Sequence, residues 1–168
     1  MKSSIELKMI GREKQLPNQI KAVISSMEKL SSDNNLSELK SDQILRLVRS
    51  KLEKIGFKVE KSRKRVDQVP IVVRSNLHQD VNKTFYVDAK SNDGKILLEI
   101  EAGRAIENNQ ILKDLFEAVA CVDVEYLILI VRKRYRVADF ERTYKLVQIL
   151  FECGRIRLPL KSVVVIGY

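Results

Sequence analysis

The chain has 168 residues, which fits one domain and is long enough to bury a core without disulfides or a structural metal. Hydrophobic residues make up 45% of it, and no apolar run approaches the ~18 residues that a membrane span needs, so neither a disordered tail nor a membrane protein is expected. Its 31 Lys and Arg against 22 Asp and Glu leave a net charge of +9, which favours a polyanionic partner, nucleic acid before a membrane surface.

The cysteines and the N-terminus bear on the compartment. Cys121 and Cys153 lie in apolar, helix-like surroundings and have no partner at zinc-ligand spacing. Residues 1–14 lack the apolar segment of a signal peptide. We therefore expect a cytoplasmic protein with reduced, buried cysteines.

The first half of the chain predicts two helices and a short strand. Apolar residues at helical spacing predict a helix over residues 18–30, followed by the polar stretch SSDNN. We interpret residues 1–36 as an N-terminal helical extension and residues 37–168 as the main domain, within one compact unit. A second helix begins at Ser41 and ends at Gly56, and a strand follows at once.

The second half predicts a hairpin and then alternating helices and strands. Residues 84–88 (TFYVD) and the run KILLEIEA flank an SNDG turn, which is typical of a hairpin. Asn109 caps the next helix, whose predicted apolar face is Ile111, Leu112, Leu115, Phe116 and Val119. The apolar runs YLILIV and VVVIG, separated by a helix over residues 138–153, predict strands covered on both faces. This order predicts an α/β fold with one mixed sheet flanked by helices on both faces.

Three carboxylates on the predicted hairpin form the candidate site. Strand alternation points Leu97, Glu99 and Glu101 to one face, and the turn places Asp88 across from residues 97–98, within about one residue of register. Clustered acids in a partly buried place need a proton, an arginine or a metal ion, and Mg²⁺ suits carboxylate oxygens. Two interpretations stay open from the residues: a solvated strand face and a metal site.

The spacing of the three acids resembles the signature of the PD-(D/E)XK nucleases: Asp88 is followed after ten residues by Glu99-Ile100-Glu101 on the far arm of a hairpin. The preceding helix and the following helix and strand resemble the αβββαβ core of that superfamily, over roughly residues 41–168. The resemblance implies a restriction-endonuclease-like fold and a DNA endonuclease of restriction or repair that depends on Mg²⁺ or Mn²⁺. It implies that Asp88 and Glu99 bind the metal and that Glu101 is the third catalytic residue.

The chain departs from the family pattern in two places. Glu101 stands where the family usually has lysine, and no proline precedes Asp88. Glutamate can act as a base or as a metal ligand, but it supplies no positive charge. In an alternative register, Asp88-Ala89-Lys90 is the D-x-K motif and TFYVDAK is the third strand, which requires a helix soon afterwards. Accessory roles are open to Gln43, near Asp42 on the second helix, and to Arg104, which is able to neutralise Glu101 or contact a phosphate.

Two groups of basic residues are candidates for phosphate contacts. The first follows the strand at residues 57–59 and the second follows YLILIV: Lys61, Arg63, Lys64 and Arg65, then Arg132, Arg134 and Arg136. Such side chains give affinity and salt dependence rather than sequence choice, and a solvated charged loop is the alternative for each group.

Three functions follow from these residues. The first is the Mg²⁺-dependent endonuclease, the second a DNA-binding protein of the same fold without catalysis, and the third a protein whose acids only form salt bridges. The resemblance also implies DNA as the partner and a homodimer, and the lack of a glycine-rich phosphate loop argues against a nucleotide cofactor.

Overall fold

The computed structural model describes residues 4–13, 15–74, 82–103, 105–106 and 109–168. The helices within these ranges are α1 (Asn18–Asp33), α2 (Ser41–Lys54), α3 (Gln110–Ala120) and α4 (Asp139–Glu152). The strands within them are β1 (Glu6–Gly11), β2 (Phe57–Val59), β3 (Val69–Arg74), β4 (Asn82–Val87), β5 (Ala89–Ser91), β6 (Ile96–Glu101), β7 (Tyr126–Val131) and β8 (Ser162–Gly167).

A six-stranded mixed sheet in the order β1-β8-β7-β6-β5-β2 forms the centre of the fold. Strands β6, β7 and β8 are parallel neighbours, whereas β1, β5 and β2 pair in antiparallel fashion. Helices α1 and α2 cover one face of this sheet, and α3 and α4 cover the other. The predicted α/β class and mixed sheet are confirmed.

Alternate side chains of the central strands enter two separate cores. On β7, Ile128 and Ile130 pack toward α1 and α2, whereas Leu127 and Leu129 pack toward α3 and α4. All four are fully buried. Because successive side chains of a strand point to opposite faces, a wholly apolar strand is stable only when both faces are covered. The prediction made from YLILIV is therefore confirmed.

The N-terminal segment belongs to the core and is not a purely helical extension. The predicted first helix exists as α1, and its Ile20, Val23 and Met27 are fully buried together with side chains of α2. Before it, β1 pairs with β8 at the edge of the sheet, which the sequence did not predict. In β1 only Ile10 is buried, because an edge strand needs no continuous apolar run.

The predicted hairpin has a different partner for its first arm. Strand β4, which contains most of TFYVD, pairs with β3 in a separate two-stranded sheet. The chain then bends at Asp88, and the short β5 pairs with β6 instead. Ala89 lies opposite Leu98, so Asp88 comes beside Glu99, within one residue of the predicted register. Because β6 and not a helix follows β5, the alternative D-x-K register is excluded.

No helix within the described ranges is long and apolar enough to cross a membrane. Both cysteines are free, but only Cys121 is partly buried, whereas Cys153 is exposed where α4 ends. The expectation of buried cysteines is therefore wrong for Cys153.

The packing of α1 predicts that Met27→Ala destabilises the whole domain. Removing this fully buried side chain leaves a cavity and should lower the free energy of unfolding by about 2–5 kcal/mol. Urea denaturation followed by circular dichroism measures the change. The neighbouring Glu28→Ala, at an exposed position of the same helix, is the control and should stay within about 0.5 kcal/mol of the wild type. A wild-type midpoint for Met27→Ala would place α1 outside the cooperative unit.

Candidate metal centre

The bend at Asp88 opens one side of the end of β6. Strand β5 is only three residues long, so the part of β6 from Glu99 to Glu101 has no paired strand on that side. The Asp88 carboxylate takes the place of a strand partner, because its Oδ2 accepts a hydrogen bond of 2.7 Å from the backbone N–H of Ile100. The chain thereby directs an acidic side chain to the place where the sheet is open.

Burial makes the charged form of Asp88 unfavourable. It raises the pKa of this carboxyl to about 7, although the Ile100 hydrogen bond acts in the opposite direction. Repulsion from Glu60, Asp114 and Asp42 raises the pKa further. A carboxyl with these surroundings is favoured as a charged group only when a cation joins it.

Glu99 and Glu101 lie on the face of β6 that meets α3. Both point to the same face as Leu97, which packs against residues of α3. Burial raises the pKa of Glu99 well above its ordinary value, and the charges of Asp88 and Asp114 act in the same direction. Burial, followed by repulsion from Asp114 and Asp88, raises the pKa of Glu101 to about 8. The charge of Asp88 acts on both glutamates, and all three residues are half-buried, so they do not form a fully solvated strand face.

Helix α3 adds two acids that the sequence reasoning missed. Asp114 is 2% exposed and Glu117 is 3% exposed. Burial raises the pKa of Asp114 to about 6, against the lowering effect of the Lys113 charge and of a hydrogen bond from Gln110. Two nearly inaccessible carboxylates on one helix are unusual, because acids are rarely buried without a partner.

The predicted apolar face of α3 is rotated relative to the real one. Phe116 was expected to be buried but is 64% exposed. The buried stripe consists of Ile111, Leu115 and Ala118, and Asp114 lies within it at the same helical spacing. The spacing of Ile111, Leu115 and Ala118 was visible in the sequence, and it was the one signal that could have identified Asp114.

Glu99, Asp114 and Glu117 each offer a carboxylate oxygen, and these three atoms lie within 4.8 Å of one another. Among the described residues, this is the group of three carboxylates whose oxygens come that close together. The carboxylates of the predicted set, Asp88, Glu99 and Glu101, are therefore further apart. Glu99 belongs to both sets. Carboxylate oxygens at such distances are ligands suited to Mg²⁺, Mn²⁺ or Ca²⁺.

Lys113 supplies positive charge to this cluster. Its Nζ lies 3.1 Å from Oε1 of Glu117 and 3.9 Å from Oδ1 of Asp114. Its charge lowers the pKa of Glu99 and Glu101 without cancelling the effect of burial. Arg104, expected to neutralise Glu101, lies outside the described residues.

Gln43, predicted as an accessory residue of the site, has a different role, whereas its neighbour Asp42 lies near the acids. The side chain of Gln43 is exposed, and its Oε1 accepts a hydrogen bond of 2.8 Å from the backbone N–H of Lys40 at the start of α2. Gln43 therefore caps the helix and does not line the site. Its neighbour Asp42 shares a cleft with Asp88.

That cleft joins the acids to the first basic group. It has a volume of about 260 Å³ and lies between α2 and the loop after β2. Its charged lining consists of Asp42, Arg46, Arg49, Glu60, Lys61, Arg63 and Asp88. The placement of Lys61 and Arg63 beside the acids agrees with the sequence prediction, whereas Lys64 and Arg65 are exposed further along the loop. Arg46 and Arg49 were missed because they belong to α2, well before the loop in sequence.

The second basic group begins at the opposite end of the site, next to Glu101. The backbone N–H of Arg132 donates to the carbonyl of Glu101, which places the start of this loop at the end of β6. The side chain of Arg132 is only 8% exposed, and its guanidinium donates to the carbonyl of Leu39. The prediction that Arg132 contacts phosphate is therefore wrong, because its guanidinium is buried in the fold. Arg134 and Arg136 are exposed.

Comparisons with protein-family models, with curated proteins and with solved structures give no match for this chain. The resemblance to the PD-(D/E)XK nucleases is therefore a proposal that depends on the motif residues and on their placement.

The raised pKa values predict that stability without metal falls as the pH rises. An acid with a higher pKa in the folded chain than in the unfolded chain retains its proton in the folded state, so raising the pH favours unfolding. For Glu101, stability is lost over the pH range from the ordinary pKa of 4.5 to the raised pKa of about 8. In metal-free buffer we expect the thermal midpoint to decrease from pH 5 to pH 8, measured by differential scanning fluorimetry.

Glu101→Gln should remove part of the stability loss that occurs as the pH rises. The neutral amide has the same shape, so the variant should be about 1–3 kcal/mol more stable than the wild type at pH 8 and nearly unchanged at pH 5. Glu53→Gln, at an exposed position of α2, is the matched control and should follow the wild type at both pH values. Equal effects of Glu101→Gln at the two pH values would contradict a raised pKa.

Proposed function

We propose that this protein is a metal-dependent DNA endonuclease with the restriction-endonuclease-like fold. The observation that carries the proposal is the place of Asp88. At the open edge of the sheet, Asp88 lies beside Glu99 and at the same time lines a cleft with Lys61 and Arg63. Acids suited to a metal ion and cations suited to phosphate therefore line one position, which supports phosphodiester hydrolysis.

The order of elements around the site supports the same fold. Helix α2, strands β2, β5 and β6, helix α3 and strand β7 follow one another as in an αβββαβ core, with the β3–β4 pair inserted between β2 and β5. Asp88 precedes the second of the three strands, and Glu99 with Glu101 is on the third. The resemblance implies one metal-binding acid on the second strand and one on the third, so Glu99 is on the implied strand and Asp88 lies one residue before the second strand.

The residues have separate tasks in this function. Asp88 and Glu99 would hold Mg²⁺ or Mn²⁺, which polarises a scissile phosphate and lowers the pKa of a bound water. Glu101, on which the charge of Asp88 acts, would accept a proton from the attacking water in place of the usual lysine. The Asp88 carboxylate is held in orientation by the Ile100 N–H, which donates to its Oδ2.

Cations on both sides of the acids supply the affinity for DNA. Lys61 and Arg63 line the cleft at Asp88, and Arg134 and Arg136 are exposed on the loop that begins beside Glu101. A cluster of carboxylates by itself repels a polyanion, so these side chains and the net charge of +9 must bring the DNA backbone to the metal. A homodimer stays a prediction of the resemblance.

A second function is favoured by one specific observation. Glu101 replaces the lysine that the family uses, so the chain has lost one positive charge of the usual catalytic set. A DNA-binding protein of the same fold without catalysis is consistent with that replacement.

Removing either metal-binding acid should abolish cutting. With Mg²⁺ or Mn²⁺ and supercoiled plasmid, we expect Asp88→Asn and Glu99→Gln to reduce the nicking rate by at least about 100-fold, since each removes a ligand of the ion that activates water. Glu53→Gln is the control and should cut like the wild type. Cutting that persists in both variants would show a contaminating nuclease, and DNA binding without any cutting by the wild type would favour the second function.

The cleft cation should contribute to binding in a salt-dependent way. Arg63→Ala should weaken DNA binding about equally for all sequences and decrease the slope of log K against log salt by about one. Fluorescence anisotropy with labelled duplexes at about 50 to 200 mM salt measures the slope. Lys145→Ala, an exposed change on α4, should leave the slope unchanged. An unchanged slope for Arg63→Ala would remove this cleft from the DNA interface.

A further inference from the structure

The α3 side of the acid cluster contains two buried oxygens without a partner. Among the described residues, neither Oδ2 of Asp114 nor Oε2 of Glu117 accepts a hydrogen bond. The other oxygens of the same carboxylates are used: Oδ1 of Asp114 accepts a hydrogen bond of 2.9 Å from Gln110, and Oε1 of Glu117 faces Lys113 at 3.1 Å. Each carboxylate therefore has one satisfied oxygen and one buried oxygen that is open to a ligand.

Lys113 does not balance the charge of this cluster. Glu99, Asp114 and Glu117 bring three carboxylates together, and Lys113 provides one ammonium whose side chain is 55% exposed. The lysine approaches the oxygens that are already satisfied. Buried carboxylates without a counter-charge are strongly unfavourable, so the arrangement calls for a further cation.

The spacing of the oxygens fits one divalent ion. The three ligand atoms lie within 4.8 Å of one another. Ligands on opposite sides of Ca²⁺ are about 4.6–5.2 Å apart and those of Mg²⁺ about 4.0–4.2 Å apart, as twice the ordinary ligand distances require. The upper limit of 4.8 Å lies within the range for Ca²⁺, and shorter separations below that limit suit Mg²⁺ or Mn²⁺.

We propose that Glu99, Asp114 and Glu117 form a second divalent-cation site between β6 and α3. It is separate from the position at Asp88, and Glu99 contributes to both. This inference extends the proposed function. It rests on that function only because the first ion, at Asp88, belongs to the proposed nuclease site. The ion neutralises the buried acids of α3 and fixes this helix against the strand that carries Glu99 and Glu101.

The competing interpretation is a salt-bridge cluster in which Lys113 is the permanent cation. The two interpretations differ in what Lys113→Met does. If a metal ion binds here, removing the lysine takes away a competing positive charge and tightens Mn²⁺ binding. If the lysine is the permanent cation, the same change destabilises the protein and creates no Mn²⁺ site.

Counting bound ions tests the proposal on the full chain. Mn²⁺ is titrated into metal-free protein, and free Mn²⁺ is measured by electron paramagnetic resonance. We expect about two ions per wild-type chain and about one in the Asp114→Asn, Glu117→Gln double variant, because one of the two sites is lost. Glu28→Gln, exposed on α1, is the matched control and should retain both ions.

Asp88→Asn separates this proposal from the proposed nuclease function. It should lose the ion at the bend and retain the one at α3. A double variant that binds as many ions as the wild type, with the same affinity, would overturn the α3 site, whatever its effect on DNA cutting. Conversely, one ion that depends on Asp114 and Glu117 but not on Asp88, in a protein that cuts no DNA, would overturn the nuclease function and retain the α3 site.

Circular dichroism shows whether the double variant is folded. If it is not, the single variant Glu117→Gln gives the same test, and it should bind Mn²⁺ at least about tenfold more weakly at one site. No change in either site of this single variant would also overturn the proposal.

Discussion

Repulsion among buried and half-buried carboxylates is the constraint on which the candidate site of this molecule depends. Asp88, Glu99, Glu101 and Asp114 come close enough to disfavour one another's charge, and burial raises the pKa of each. At neutral pH such a cluster needs protons or cations to persist. The parallel strands β6, β7 and β8, buried on both faces, supply the apolar packing that offsets this local cost.

The short strand β5 explains how a buried sheet still presents a site to solvent. The chain leaves the β3–β4 pair at Asp88 and only then enters β5, and the Asp88 carboxylate replaces the missing backbone partner of Ile100. One bend therefore opens the edge of β6, orients an acid there and forms a wall of the cleft that contains Lys61 and Arg63. The position of the acids and their access to a ligand have the same structural cause.

Charge is distributed around this centre in an ordered way. Glu99, Asp114 and Glu117 come together between β6 and α3, whereas the cleft on the α2 side combines arginines and a lysine with the acids Asp42, Glu60 and Asp88. Further arginines are exposed on the loop after β7. Arg132 shows that sequence position alone does not define such a group, because its guanidinium binds Leu39 inside the fold. Its neighbour Arg134 is exposed, so adjacent arginines of one loop serve structure and surface separately.

The sequence by itself determined the local features: most helices and strands, the all-buried strand β7, the acids of β6 on one face and Asp88 within one residue of its register. These follow from side-chain periodicity, which depends only on neighbours along the chain. Only the tertiary structure decided that β4 pairs with β3, that β1 joins the sheet edge, and that α3 turns Asp114 and Glu117 inward while Phe116 is exposed. Contacts between distant segments determine which strands pair and how a helix is rotated about its axis. The periodicity of a single segment does not predict these contacts.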